Sequence, residues 1–342
     1  MRTPDVFING IGVFLPETVS VADAVAQGLY HQLDVDQHGW TGVAVAGDVP
    51  APEMALQAAQ EAVKRSGIAP TELNLLLYAD SWHQGPDGWQ PQYYLQRHLV
   101  GGDALAVEVK HGCSGMFSSL ELAASYLVAD PARTGALIVT ADNFGTPMMN
   151  RWRPGPGFIV GDAASAVVLT RQPGFAQLLS VCTATVPEAE EMHRAGEPFF
   201  PPGATVGTTV DFTSRSEAFR TNALRRGGTQ ALFKVAQQTV AVVERCLDEA
   251  GITLKDVVRV AFMNSSKEIV EQRGTGALGL PLSMSTWEFG ASVGHLGASD
   301  QLVSFDHLLA TGQLQPGDHL LMAGIGPGVT LAAAVVKVLS VP

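Results

Sequence analysis

The chain has little charge, little of it positive, and very few cysteines. Only 16% of its 342 residues are Asp, Glu, Lys or Arg, and acidic residues outnumber basic ones 33 to 21, for a formal net charge of -12. Such a balance argues against nucleic acid or an anionic membrane as the main partner, since either draws on a basic face. Arg151 with Arg153, and Arg225 with Arg226, are the local basic groups that an acidic carrier would meet, unless they are simply solvated. The three cysteines, Cys113, Cys182 and Cys246, are odd in number and widely spaced, with no CxxC pair. This excludes a disulfide framework and a structural zinc site, predicts no metal, and suits a reducing cytoplasm. No apolar run approaches the ~18 to 20 residues of a membrane span, and Met1 to Leu15, interrupted by Asp5, Asn9 and two glycines, does not read as a signal peptide. With 46% hydrophobic residues, the chain can bury a large core, as two ordinary domains or as one body built from two halves.

What is present converges on Cys113. Ala104 to Lys110 reads as a buried strand, and Phe117, Leu120, Ala124 and Leu127 recur at helical spacing. The tight turn His111-Gly112-Cys113-Ser114-Gly115 between them puts the thiol at the first turn of a helix, where unpaired N–H groups and the macrodipole favour negative charge. One turn then supplies a nucleophile and part of the stabilisation of its oxyanion. A small buried core cysteine is the competing reading, but a packed position does not need glycine on both flanks.

A cysteine nucleophile needs a base, and the base an orienting group. His295, in Gly294-His295-Leu296-Gly297-Ala298-Ser299-Asp300, lies between glycines with a carboxylate five residues on to favour its protonated form. His111 is the other nearby imidazole. The order along the chain is strand, turn with a reactive side chain, helix, strand, and this order occurs twice. Cys113 lies in one copy and His295 in the other, so a duplicated α/β body would bring the two turns to a shared centre. Within this outline Leu282 to Phe289 is expected as a strand and His295 to Ala310 as a helix. Pro187 to Arg215 is expected to be irregular. The GIGPG stretch at Gly324 to Gly328 has too little chain after it for a dinucleotide fingerprint and is expected as a close-approach loop lining the site.

GCSGMFSSLELAASYL, followed some forty residues on by GDAASAVVL and near the end by GDHLLMAGIGPGVT, resembles the β-ketoacyl-acyl-carrier-protein synthase III group of the thiolase superfamily over nearly the whole chain. The resemblance implies a five-layered αβαβα fold of two pseudo-symmetric halves, 1–173 with the nucleophile and 174–342 with His295 and Asp300. It further implies a homodimer in which a loop carrying Trp89 reaches the other subunit's acyl pocket. Phe158 and Ile325 are further candidates for that pocket. No cofactor is expected to be bound, and the acyl donor would ride on phosphopantetheine, as an acyl carrier protein or polyketide synthase, or on a CoA-like thioester.

Two departures from the family pattern bear on the reaction. Condensing members place histidine at the start of a PHQAN-like motif where this chain has Met263-Asn264-Ser265-Ser266-Lys267, and asparagine where His295 stands. Pro327 falls where a backbone N–H is usual, so Asn264, Gly326 or Gly328 would help complete the oxyanion hole. The pattern then resembles the synthase III-like acyltransferases of antibiotic pathways. They move malonyl or aromatic acyl groups such as 6-methylsalicylyl to a sugar, an aminocyclitol or a second carrier. A decarboxylative ketosynthase and a non-catalytic synthase subunit are the alternatives.

Overall fold

The computed structural model describes residues 1–194, 197–200, 207–225 and 229–341; Arg226 lies outside them. Its strands are β1 (Phe7–Phe14), β2 (Thr18–Ser20), β3 (Gly42–Ala44), β4 (Leu73–Ala79), β5 (Leu105–Val109), β6 (Gly135–Asp142), β7 (Ala163–Thr170), β8 (Ala176–Thr185), β9 (Val257–Ala261), β10 (His319–Gly326) and β11 (Thr330–Val338). β2 and β3 form a small ribbon, and the other nine form one mixed sheet in the order β5-β4-β6-β7-β1-β8-β11-β10-β9. The two arms of that sheet meet where β1 pairs briefly with β8, through Phe7 with Gln177 and Ile8 with Ala176.

Six helices frame the site: α1 (Ala51–Ser66), α2 (Gly115–Ala129), α3 (Phe212–Arg225), α4 (Gln230–Ala250), α5 (Trp287–Val293) and α6 (Asp300–Ala310). Phe117, Leu120 and Leu127 of α2 and Leu302, Phe305 and Leu308 of α6 share one core with residues from both arms of the sheet. α1 covers the far face of one arm through Met54, Ala58 and Ala62, and α4 the far face of the other through Val242, Val243 and Leu247. This is the five-layered αβαβα arrangement that the resemblance implied. β6 and β7 are buried along their whole length, which is why both are mostly small and apolar, with only Thr140, Asp142, Ser165 and Thr170 polar.

Four stretches differ from expectation, the first being Pro187 to Arg215: Pro187–His193 forms a 3-10 helix and α3 already begins at Phe212, while 195–196 and 201–206 lie outside the described residues. Leu282 to Phe289 is not a strand: Leu282–Met284 forms a 3-10 turn, and α5 starts at Trp287, whose N–H donates to Ser285 Oγ at 3.2 Å. The stretch has few β-branched residues, and Ser285, one residue before the N-cap Thr286, takes up the first helical N–H. His295 is not helical, because α6 begins only at Asp300. β8 was not expected at all. Gln177, Ser180 and Thr183 interrupt its apolar pattern, and its place in the sheet comes from pairing with β11 over its length. No described helix is long and apolar enough to cross a membrane.

The small residues along α1 let its backbone sit directly on β1. A Cβ at Gly12 would lie 2.0 Å from the carbonyl oxygen of Ala58, and one at Gly10 2.1 Å from that of Ala62. Gly12→Ala is therefore expected to destabilise the fold by about 1–3 kcal/mol, read as a lower urea midpoint at unchanged slope.

Candidate active site

The Cys113 turn is shaped by what presses on it. After β5, Gly112 adopts φ 54° and a Cβ there would stand 2.8 Å from Pro327 Cδ, so both conformation and space require glycine. Gly115 fits against Ala79 and Ala298, where a Cβ would come within 2.8 Å of the Ala79 methyl. Cys113 sits half-buried in the single 3-10 turn Gly112–Ser114 that runs into α2. Its sulfur lies 3.0 Å from His295 Nε2.

His295 reaches that position from an extended strap. Its N–H donates to the Ile159 carbonyl at 2.8 Å, and its own carbonyl accepts from Gly161 N–H at 2.9 Å. The chain then turns at Gly297, φ 60°, and α6 begins at Asp300. That bend explains how residues five apart meet: His295 Nδ1 is 2.6 Å from Asp300 Oδ2. Asp300 also accepts from Leu296 N–H at 2.8 Å and Asn264 N–H at 2.9 Å, and is fully buried. Burial opposes charge on His295, but the opposite charges of Asp300 and the Cys113 sulfur, with hydrogen bonds to both, outweigh it. They hold the imidazole well above its usual pKa. The Phe158 ring meets the imidazole edge-on at 5.7 Å.

Cys113, His295 and Asp300 therefore form one line, and Phe158 borders it. Asn264 stands behind the line: its Nδ2 donates to the Gly294 carbonyl at 2.8 Å, and its N–H goes to Asp300. Gly326 and Gly328 lie in the β10–β11 hairpin; a Cβ at Gly326 would be 2.4 Å from Ser114 Oγ, so the hairpin presses on the Cys113 turn. Ile325 packs instead on the α4 side of β10 with the core of that face, because side chains alternate along a strand. Trp89 is away from the line within one chain, 39% exposed beside Tyr94. Arg151 is no free basic group. It grips the fully buried Asp162 of the GDAASA stretch through both guanidinium ends, at 2.9 to 3.1 Å.

Two features had no strong signal in the sequence. An apolar wall joins Phe158 from several segments: Trp82, Phe144, Met149, Val160 and Phe212. Of its residues only Phe158 was expected beside a pocket. The other is Asp142 at the end of β6. Its Oδ1 accepts from Ser81 and Trp82 N–H, both at 2.8 Å, and a Cβ at Gly297 would fall 2.4 Å from its Oδ2. One carboxyl thus registers the wall loop against the strap of His295.

Comparison with known proteins agrees with this architecture. Residues 107–186 match the family model 3-oxoacyl-[acyl-carrier-protein (ACP)] synthase III, and residues 247–338 match the model of its C-terminal part. The solved structure of the acyltransferase ChlB3 superposes with a TM-score of 0.93 at 64% identity, covering 98% of each chain. The 3-oxoacyl-[acyl-carrier-protein] synthase III of Aquifex aeolicus shares the fold, with a TM-score of 0.77 at 21% identity over 97% of this chain and 99% of that one. The β-ketoacyl-[acyl-carrier-protein] synthase III of Rhizorhabdus wittichii is 26% identical over 231 residues, 67% of this chain and 66% of that protein's length. The chain belongs to the synthase III family of the thiolase superfamily and is a transferase.

Burial raises the Asp142 carboxyl from 3.8 to about 7, with the nearby Asp80 charge adding to the rise against the hydrogen bonds of Ser81 and Trp82. The folded state then binds a proton that the unfolded state releases above pH 3.8, so stability falls as pH rises through that window and levels off above about 7. Asp142→Asn removes the ionisation. Chemical denaturation at several pH values should show the variant gaining on the wild type between about pH 4 and 7.

Proposed function

We propose that this chain is a ping-pong acyltransferase of antibiotic or polyketide biosynthesis. It takes an acyl group from a phosphopantetheine thioester, on a carrier protein, polyketide synthase or CoA-like donor, onto Cys113. It then passes the group to a hydroxyl, an amine or a carrier thiol. The observation that carries the reading is a single imidazole bonded to both the sulfur and a buried carboxylate, with Met263 where condensing relatives hold a histidine. The Cys113 sulfur attacks the thioester carbonyl. As the tetrahedral adduct collapses, the pantetheine thiolate leaves with the proton of the His295 imidazolium. Neutral His295 next removes the proton of the acceptor as it attacks the acyl-enzyme, and expulsion of the Cys113 thiolate restores the starting ion pair. Asp300 orients the ring and stabilises its charged form.

The aromatic wall beside His295 supports an aromatic or short acyl group such as 6-methylsalicylyl or malonyl, and a sugar or aminocyclitol is the favoured small acceptor. An exposed apolar edge supports a homodimer. β5 ends one arm of the sheet with Leu105 52% and Val107 38% exposed, beside the exposed Tyr93 and Trp89. Pairing there would carry Trp89 toward the second subunit. Three free cysteines fit a reducing cytoplasm.

Decarboxylative condensation remains the second reading because it is the named reaction of the family. It is disfavoured because the Asn264 amide is engaged with Gly294 rather than turned to the sulfur.

Incubation with a panel of acyl thioesters should add an acyl mass to Cys113 without release of carbon dioxide. Carbon dioxide with a β-ketoacyl product would establish the second reading, and no acyl-enzyme from any donor would refute both. Cys113→Ala is expected to abolish the acyl-enzyme and turnover. His295→Ala should slow transfer by about 10²–10⁴-fold while the protein stays folded, measured by single-turnover kinetics.

A further inference from the structure

His111 stands outside the line of Cys113, His295 and Asp300, yet both of its ring nitrogens are engaged. Nδ1 lies 2.5 Å from Ser118 Oγ, one turn into α2, and Nε2 lies 3.2 Å from Thr330 Oγ1 at the start of β11. Thr330 Oγ1 is in turn 3.3 Å from Thr185 Oγ1 of β8, and Ser118 Oγ also reaches the Ser114 carbonyl at 3.3 Å. Burial lowers the His111 pKa, so the ring is neutral at neutral pH and offers one donor and one acceptor. Each has a hydroxyl facing it.

The same two segments meet at three more points. The Pro327 ring lies where a Gly112 side chain would be, Gly326 closes on Ser114, and Ser114 Oγ donates to the Thr330 carbonyl at 3.4 Å. The turn gains from such anchoring because Gly112, which immediately precedes Cys113, has no side chain to restrict its own backbone. The imidazole pins the residue before that glycine to a helix on one side and to a hairpin on the other. Pro327 brings no N–H of its own, which leaves more of the oxyanion stabilisation to the amides of this turn.

We propose that His111 is a positioning residue for Cys113: bridging Ser118 and Thr330, it sets the turn so that the sulfur faces His295 and the turn's N–H groups face the reacting carbonyl. The proposal rests on Cys113 as the nucleophile. It does not depend on which acyl group is carried.

The first arm of the test needs no donor. The rate of Cys113 alkylation by iodoacetamide is read by intact mass in the wild type, His111→Phe, His111→Gln, Thr330→Val and the double variant His111→Gln/Thr330→Val, with Cys113→Ala as control. Glutamine places an amide nitrogen near the position of Nε2, whereas phenylalanine keeps the bulk and loses both bonds. His111→Phe should react about 10-fold or more slowly, His111→Gln should recover most of the rate, and Thr330→Val should cancel that recovery. The second arm measures acyl transfer, where kcat should fall with KM unchanged. Wild-type alkylation by His111→Phe, or a glutamine rescue indifferent to Thr330, overturns the proposal. If His111→Phe does not fold, Ser118→Ala and Thr330→Val, each removing one partner and checked by circular dichroism, must each slow alkylation or the proposal fails. Coupled alkylation rates without acyl transfer would sink the acyltransferase reading alone; transfer with alkylation indifferent to His111 would sink this one alone.

Discussion

A buried imidazole held between a sulfur and a carboxylate is the constraint on which the rest depends. Placing a charged ring out of water is costly unless it is paired and hydrogen-bonded. Here the compensation is local and complete: Asp300 sits beside the ring and itself accepts from the N–H groups of Leu296 and Asn264. Each of these donors belongs to a different stretch of backbone. The charge on one side chain therefore depends on the strap before α6 and the loop after β9 being in register, and Asn264 adds a second tie through the carbonyl of Gly294.

The sulfur comes from the other arm of the sheet. Its approach to the imidazole is set in the central core that α2 and α6 share, with Gly115 at the start of α2 against Ala298 in the turn just before α6. Small residues do the positioning at each crossing. Glycine at 112 admits the Pro327 ring, and glycine at 297 admits the Asp142 carboxylate. The site is assembled mostly by what is missing from side chains, and the polar bonds then hold what close approach has set.

Cys113, His295 and Asp300 were legible in the sequence because glycines flank the reactive residues and mark bends where backbone must be free. Their convergence was legible only through the repeated strand-turn-helix order and the family resemblance, because nothing local to either turn encodes the distance between them. The contact of His295 with Asp300 makes poor sense on a helix and becomes plain only once Gly297 is seen to bend the chain before α6. The apolar wall around Phe158 could not be read, since Trp82, Phe144, Met149 and Phe212 come from separate segments and each alone looks like ordinary core. Arg151 misleads for a related reason: a sequence shows its charge but not that Asp162, eleven residues on, takes it inside.

The core that α2 and α6 share has a consequence for how the site can be tuned. The gap between the Cys113 sulfur and the His295 imidazole behaves like a gauge whose setting screw lies deep in the molecule, among Phe117, Leu120, Leu302 and Phe305. Swapping one of these for a bulkier neighbour would part the two reacting atoms without altering a single polar group at the surface of the cleft. A change in how sulfur meets imidazole is thus to be sought in that hidden seam as much as in the cleft itself.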